Sequence, residues 1–371
     1  MGVKGFETDL LDPNQIFEDN DLFNSTVSNS DSPEDMIYVT PDDARLSITG
    51  INNTSLTGNI FYRLNPAHKE FYLEDIDNLA FCTAGGRIRF KSNSTKLYMS
   101  LQLKDTLNYP YFATSGSSGI DIYIGSGRNK RWYATLTPTV NDPYIIQDVI
   151  SLNGELKDIT INLPLYSSID SIVIGLEKSS YLTNPSPYSI DKPIVFYGSS
   201  ITQGCSASRP GTSYPELVSR KLDSNLINLG FSGSAKGEAI IANDIADLEM
   251  SAFVMEYDHN ADDLSMLENT HYNFYNIVRK KHPDIPIILL SRCSSGYSIS
   301  EDLANQRELI IKNTYSRAIK QGDINTYFLS GNDIIPPSIR DDCLVDGIHP
   351  NDYGHHLIAD ALLDCLDGNI N

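Results

Sequence analysis

Four short stretches of this chain carry the residue types that acyl transfer through a serine requires, three of them directly after an apolar run and the last before the final helical pattern. Residues 193–200 read Pro-Ile-Val-Phe-Tyr-Gly-Ser-Ser. A β-branched and aromatic run broken by Gly198 predicts a buried strand handing over to a tight turn, with the Ser200 hydroxyl held at the strand's carboxyl end. That makes Ser200 a candidate nucleophile, with Ser199 beside it. Residues 230–234 read Gly-Phe-Ser-Gly-Ser, small enough to leave backbone N–H groups aimed at an anion. Residues 256–261 read Glu-Tyr-Asp-His-Asn-Ala, and Asn260 can offer a side-chain N–H to the same place. Residues 346–351 read Asp-Gly-Ile-His-Pro-Asn. There Asp346 can orient one imidazole nitrogen of His349 while the other faces a hydroxyl. Each stretch alone has a plainer explanation as a helix cap, a simple turn or a solvated loop histidine. Their joint occurrence points to chemistry.

The elements that must position them follow a regular grammar. From residue 194 onward, strands (194–197, 226–229, 252–257, 285–290, 324–329) alternate with helical patterns (214–222, 238–246, 264–281, 301–321, 352–366). Alternation of this kind predicts right-handed β-α-β units and a parallel sheet with helices on both faces, whose ligands sit at the strand carboxyl ends. The first half reads differently. Seven segments of period two (44–49, 86–91, 96–103, 119–124, 131–136, 158–163, 171–176) lie between turn-rich gaps. They predict half-buried antiparallel strands arranged as a β-sandwich. Residues 1–40, rich in Asn, Asp and Ser, are expected to be an irregular lead-in. A Ser, Tyr and Pro-rich stretch at 179–187 separates the halves, giving a sandwich domain over 1–188 and a catalytic domain over 189–371.

Composition narrows the partners. The 371 residues carry a net charge of -20, and the longest run among the 28 Lys and Arg residues is the three at 279–281, too short for a polyanion-binding cluster. Nucleic acid and anionic membrane surfaces are therefore not the expected partners; a neutral small molecule is. The cysteines (Cys82, Cys205, Cys293, Cys343, Cys365) are odd in number and lack C-x-x-C spacing, so neither a disulfide framework nor a zinc site is expected. A reducing, cytoplasmic setting is the simplest expectation; the start of the chain shows no apolar leader, although a trimmed signal would leave no trace. A metal site on Asp258, His259 and nearby carboxylates carries little weight, because adjacent residues do not easily both face one ion. No organic cofactor is called for.

Together the four stretches resemble the conserved blocks of the SGNH (GDSL-type) hydrolases. Gly198-Ser199-Ser200-Ile201 matches the first block, Gly233 the second, Asn260 the third and Asp346-x-x-His349 the last. Two departures stand out. The acid usual before the family's serine is Ser199 here, and the third block reads Tyr-Asp-His-Asn rather than Gly-x-Asn-Asp. The first half resembles the N-terminal sandwich module of a subset of these enzymes, through residues 83–90 (Thr-Ala-Gly-Gly-Arg-Ile-Arg-Phe) and Gly119-Ile-Asp121-Ile-Tyr123, which answers to Gly-x-Asp-Leu-Tyr. The resemblance implies an α/β fold: a flavodoxin-like parallel sheet between helices, preceded by a jelly-roll-like antiparallel sandwich. It implies Ser200 as nucleophile, with His349 as base and Asp346 as its orienting acid. It places the N–H groups of Ser200 and Gly233 and the side chain of Asn260 around an oxyanion. The expected activity is cleavage of small acyl esters, acetyl foremost and conceivably on carbohydrate, with the sandwich forming one wall of the cleft and Asp121 or Tyr123 near the serine. The rivals are an acyltransferase using an alcohol acceptor and a non-catalytic carbohydrate-binding protein. An α/β-hydrolase elbow does not fit, since Thr202 stands where Gly-x-Ser-x-Gly needs its last glycine.

Overall fold

In a computed structural model of the chain, residues 35–51, 53–55, 60–139, 141–293 and 299–370 are described. Most of the expected lead-in lies outside them. Its end is not irregular: Met36–Val39 is a strand, paired antiparallel with Ile169–Glu177. The Asn/Asp/Ser composition of that region concealed a four-residue edge strand.

The first half is a sandwich of two antiparallel sheets. One runs Met36–Val39, Ile169–Glu177, Lys96–Leu103, Ile145–Ser151; the other runs Leu182–Thr183, Arg87–Ser92, Lys157–Asn162, Ile120–Ile124, Arg131–Leu136, with Ser47–Thr49 added on Arg87–Ser92. Alternate residues from both, such as Ile88, Phe90, Met99, Leu101, Ile122, Ile159, Ile161, Ile172 and Ile174, are buried against each other, as period-two patterning requires. The strand at 145–151 breaks strict alternation with Asp148 and went unread in the sequence.

The second half is a five-stranded parallel sheet: β1 (Ile190–Gly198), β2 (Ser224–Gly230), β3 (Ala252–Glu256), β4 (Ile287–Leu290) and β5 (Thr326–Leu329), in the order β2-β1-β3-β4-β5. That order reverses direction between β1 and β3, so the carboxyl end of β1 lies at the topological switch point where doubly wound sheets bind ligands. The helices that matter here are α1 (Ser200–Gln203), α2 (Tyr214–Leu222), α3 (Ala239–Ala246), α4 (Leu264–Lys281), α5 (Glu301–Lys320) and α6 (Asp352–Leu366), with two four-residue helices between α5 and α6. Pleating sends Ile194 and Phe196 to the face covered by α2 and α6, and Val195 and Tyr197 to the face covered by α3, α4 and α5.

The second of these cores is not built from the second half alone. Tyr62, Leu64, Tyr72, Ile76 and Ala80 pack in it with Ile227, Leu229, Phe231 and Ile241. Residues 62–80 thus leave the sandwich and close over one flank of the parallel sheet.

Candidate active site

Ser200 is the first residue of α1, and Ser199 caps it: Ser199 Oγ accepts from Ile201 N–H at 3.2 Å. The turn into this helix is tight. A Cβ on Gly198 would stand 2.1 Å from the Glu256 carbonyl oxygen, so only glycine lets β1 and β3 meet here. Glu256 ends β3 directly beneath the turn. Its carboxylate accepts from Ser199 Oγ (2.8 Å), Ser199 N–H (3.2 Å) and Thr202 Oγ1 (2.9 Å). The acid missing before Ser200 in the chain is thereby supplied in space by the neighbouring strand, with Ser199 hydroxyl as its ligand. Complete burial, reinforced by the Asp258 charge, pushes the Glu256 carboxyl up to about 7. No local sequence signal marks Glu256 for this role, because it meets the turn only through the pairing of β3 with β1.

The last loop brings His349 to Ser200. Gly347 takes φ +80°, and Val345 N–H donates to the His349 carbonyl at 2.9 Å, which folds residues 345–349 into a closed turn. Asp346 Oδ1 accepts from the backbone N–H groups of Ile348 (3.0 Å) and His349 (2.8 Å), while Oδ2 lies 2.7 Å from His349 Nδ1. Partial burial acts to raise the Asp346 carboxyl, but the hydrogen bonds and charge of His349 outweigh it and hold it below the usual carboxylate range. With Nδ1–H given to an ionised carboxylate, Nε2 is left to accept, and Ser200 Oγ lies 2.8 Å from it. Asn351 then caps α6 by accepting from Tyr353 and Gly354 N–H.

The loop after β2 can be accounted for donor by donor. Phe231 N–H goes to Gly198 O (2.9 Å), Ser232 N–H to Gln203 Oε1 (2.9 Å), and Ser234 and Ala235 N–H to Phe231 O. Gly233 N–H and Ser200 N–H have no partner among the described residues. Gly233 adopts φ +68° and has open space around the position of a Cβ. Asn260 Nδ2 donates to Phe231 O at 3.0 Å, so one of its two protons ties the third block to this loop and the other stays available. Ser200, His349 and Asp346 are thus linked by hydrogen bonds; Gly233 and Asn260 stand on the loop beside them.

The first half reaches this place through residues that sequence reading did not single out. Tyr111 stacks on the His349 ring with centroids 5.6 Å apart and planes within 8°, and Tyr109 stacks on Tyr111 in turn. Tyr166 Oη donates to the Ser200 carbonyl (3.2 Å), and Gln203 Nε2 to the Leu165 carbonyl (3.1 Å). Asp121 and Tyr123 are engaged elsewhere: Asp121 accepts from Gly211 N–H at 2.9 Å, and the Tyr123 ring lies under the Arg220 guanidinium. Neither hydrogen-bonds Ser200 among the described residues. Their motif locks the sandwich onto the turn before α2, and the wall beside His349 is made by Tyr111.

Glu256, Asp258 and His259 place ligand atoms within 4.8 Å of one another. They do not fit a dication. Arg292 Nε sits 3.6 Å from Asp258, its Nη2 3.4 Å from His259 Nδ1, and Arg307 bonds the Asp258 carbonyl, so an added ion would meet two guanidinium groups.

A serine, a histidine and an aspartate in hydrogen-bonded sequence at the switch point of a 2-1-3-4-5 sheet define a serine hydrolase of the SGNH fold, and the comparisons agree. Residues 191–367 match the GDSL-like Lipase/Acylhydrolase family, and residues 36–182 match the N-terminus of SGNH hydrolase-type esterases. The second half is a GDSL-like lipase/acylhydrolase domain, and the first half is the N-terminal module of SGNH-type esterases. Among solved structures the chain is similar to one described as a GDSL-like lipase from Bacteroides ovatus (29% identity, 90% of this chain and 98% of that one, TM-score 0.77). It shares its fold with the salicylyl-acyltransferase SsfX3 of a tetracycline biosynthetic pathway (18% identity, 91% and 98% covered, TM-score 0.76). The same holds for the acetyl xylan esterase Est2A of the rumen bacterium Butyrivibrio proteoclasticus (12% identity, 89% and 98% covered, TM-score 0.56). A search of curated protein sequences gave no match.

Proposed function

We propose that the protein cleaves small acyl esters, acetyl esters of carbohydrates foremost, through an acyl-serine intermediate on Ser200. The observation that carries this reading is the chain Ser200 Oγ to His349 Nε2 (2.8 Å) and His349 Nδ1 to Asp346 Oδ2 (2.7 Å). His349 takes the Ser200 proton as Oγ attacks the ester carbonyl; the tetrahedral intermediate collapses and His349 returns the proton to the leaving alcohol. Water then attacks the acyl-serine by the same route in reverse roles. Asp346 holds the imidazole in the tautomer that leaves Nε2 free. The Ser200 and Gly233 N–H groups and the second Asn260 amide proton receive the developing oxyanion. Carbohydrate as the alcohol part is supported by the esterase neighbours with this fold, and the net charge of -20 favours a neutral substrate. The cysteines are all unpaired, four of them buried, which supports residence in a reducing compartment.

The test is a panel of p-nitrophenyl acetate, butyrate and longer esters together with acetylated sugars, each with and without added alcohol acceptors. Acetate release that disappears in Ser200→Ala supports the reading. Acyl transfer to alcohol in preference to water would replace it with an acyltransferase, and inertness toward every ester would leave a binding protein.

A further inference from the structure

Arg63 belongs to the first half of the chain and yet is buried under the second, only 1% exposed. Its backbone N–H is fixed to the Ala80 carbonyl at 2.9 Å. Its guanidinium forks across two chain segments: Nη1 donates to the carbonyls of Gly230 (2.7 Å) and Asn228 (3.0 Å), Nη2 to that of Leu79 (2.8 Å), and Cζ lies 4.5 Å from the centre of the Phe231 ring. No carboxylate pairs with it among the described residues. Burial without a counter-ion holds this guanidinium down to about 10.

We infer that Arg63 is a positioning residue for the oxyanion loop, so that the N-terminal module is a working part of the active centre. Gly230 O and Phe231 are where the loop leaves β2, two residues before the free N–H of Gly233. Among the described residues, the main-chain groups of that loop are otherwise fastened from the second half, by Gly198, Gln203 and Asn260, while Tyr166 of the first half meets only the Ser232 side chain. Those bonds hold its N–H groups and the Phe231 carbonyl. Arg63 alone holds the Gly230 carbonyl from behind and packs on the Phe231 ring, which fixes the direction in which residues 231–233 emerge. A neutral donor could satisfy one carbonyl, but only a planar fork reaches three on two segments at once. An uncompensated buried cation is costly unless something offsets it. The one negative charge that the proposed reaction creates beside this loop is the oxyanion, and the sign of Arg63 favours that state.

This inference rests on the acyl-serine reading, and the test separates the two. Arg63→Met and Arg63→Lys are compared with the unaltered protein and with Ser200→Ala, by steady-state kinetics on p-nitrophenyl acetate and by thermal melting. Loss of all turnover in Ser200→Ala keeps the reading itself in place. The expected result for Arg63→Met is a kcat lowered about a hundredfold with KM within about twofold, the signature of a displaced oxyanion donor. Arg63→Lys, which keeps the charge but not the fork, should recover part of the kcat. If Arg63→Met does not fold, Arg63→Lys alone decides: a lowered kcat at constant KM supports positioning. A second arm combines Arg63→Lys with Asn260→Ala, whose losses should be less than multiplicative because both act on one loop. Wild-type kcat in either folded variant, with only the melting temperature reduced, would make Arg63 a structural tie and overturn the inference.

Discussion

The carboxyl group of Glu256 offers a sharp test of the physical reasoning. Folding buries it completely and moves it from its ordinary 4.5 up to about 7, with burial the larger cause and Asp258 the second. The folded protein therefore holds a proton on Glu256 over a pH range in which the unfolded chain has released it. Where the folded state binds more protons than the unfolded state, stability falls as pH rises. The contribution is favourable below about pH 4.5, declines through the interval from 4.5 to 7, and is unfavourable by a constant amount above it. A displacement of about 2.5 pH units corresponds to roughly 3 kcal/mol. Glu256→Gln keeps the shape and cannot titrate. Its hydrogen bonds to Ser199 and Thr202 must be rearranged, which costs about 1 kcal/mol at every pH. The variant should thus be slightly less stable than the parent at pH 5 and more stable at pH 8, by up to about 2 kcal/mol. Melting temperatures of the two proteins at half-unit steps between pH 4.5 and 8 read this directly, since the difference cancels the other titrating groups. A difference that does not change with pH would show that Glu256 titrates as an ordinary carboxylate, and the account of the buried turn would fail.

Other perturbations address the remaining parts. A serine-directed phosphonate should label Ser200 and leave Ser199 unlabelled, because the Ser199 hydroxyl is committed to Glu256; peptide mapping of the adduct decides between them. Asn260→Ala should lower kcat on the order of a hundred- to a thousandfold with little change in KM, and a loss confined to KM would remove Asn260 from the oxyanion role. Tyr111→Ala should slow turnover by roughly fivefold, since a stacked ring pair of this kind contributes about 1 kcal/mol to holding His349 in place, and Tyr111→Phe should be near normal. An equal loss in both variants would implicate the Tyr111 hydroxyl instead of the stack.

How much of this was legible in the sequence depended on whether the signal was local. The parallel half declared itself through alternating periods, and helices at 214–222, 264–281 and 352–366 fall where the pattern put them. Ser200, His349 and Asp346 were visible because the residues around them punctuate the chain locally: Gly198 ends a strand, and Gly347 and Pro350 mark a turn before the last helix. Glu256, Arg63, Tyr111 and Tyr166 were not, because each meets its target across a long sequence separation and no local period records such a meeting. The motif residues Asp121 and Tyr123 turned out to have partners that the sequence did not name. Their spacing is a strong signature, and the contacts it makes are to the turn at residues 209–211 and to Arg220, with no hydrogen bond to Ser200 among the described residues.

Residues 62–80 complete the core of a domain to which, by position in the chain, they do not belong. A hydrolase half cut free at its first strand would open that flank to water and lose the guanidinium behind β2 in the same stroke. The two halves cannot then be exchanged like beads on a string. Any recombination that gave this hydrolase a different sandwich would have to carry residues 62–80 with it, and a swap made at the interdomain linker would yield a protein that melts earlier and turns over slowly even with every residue of the second half intact.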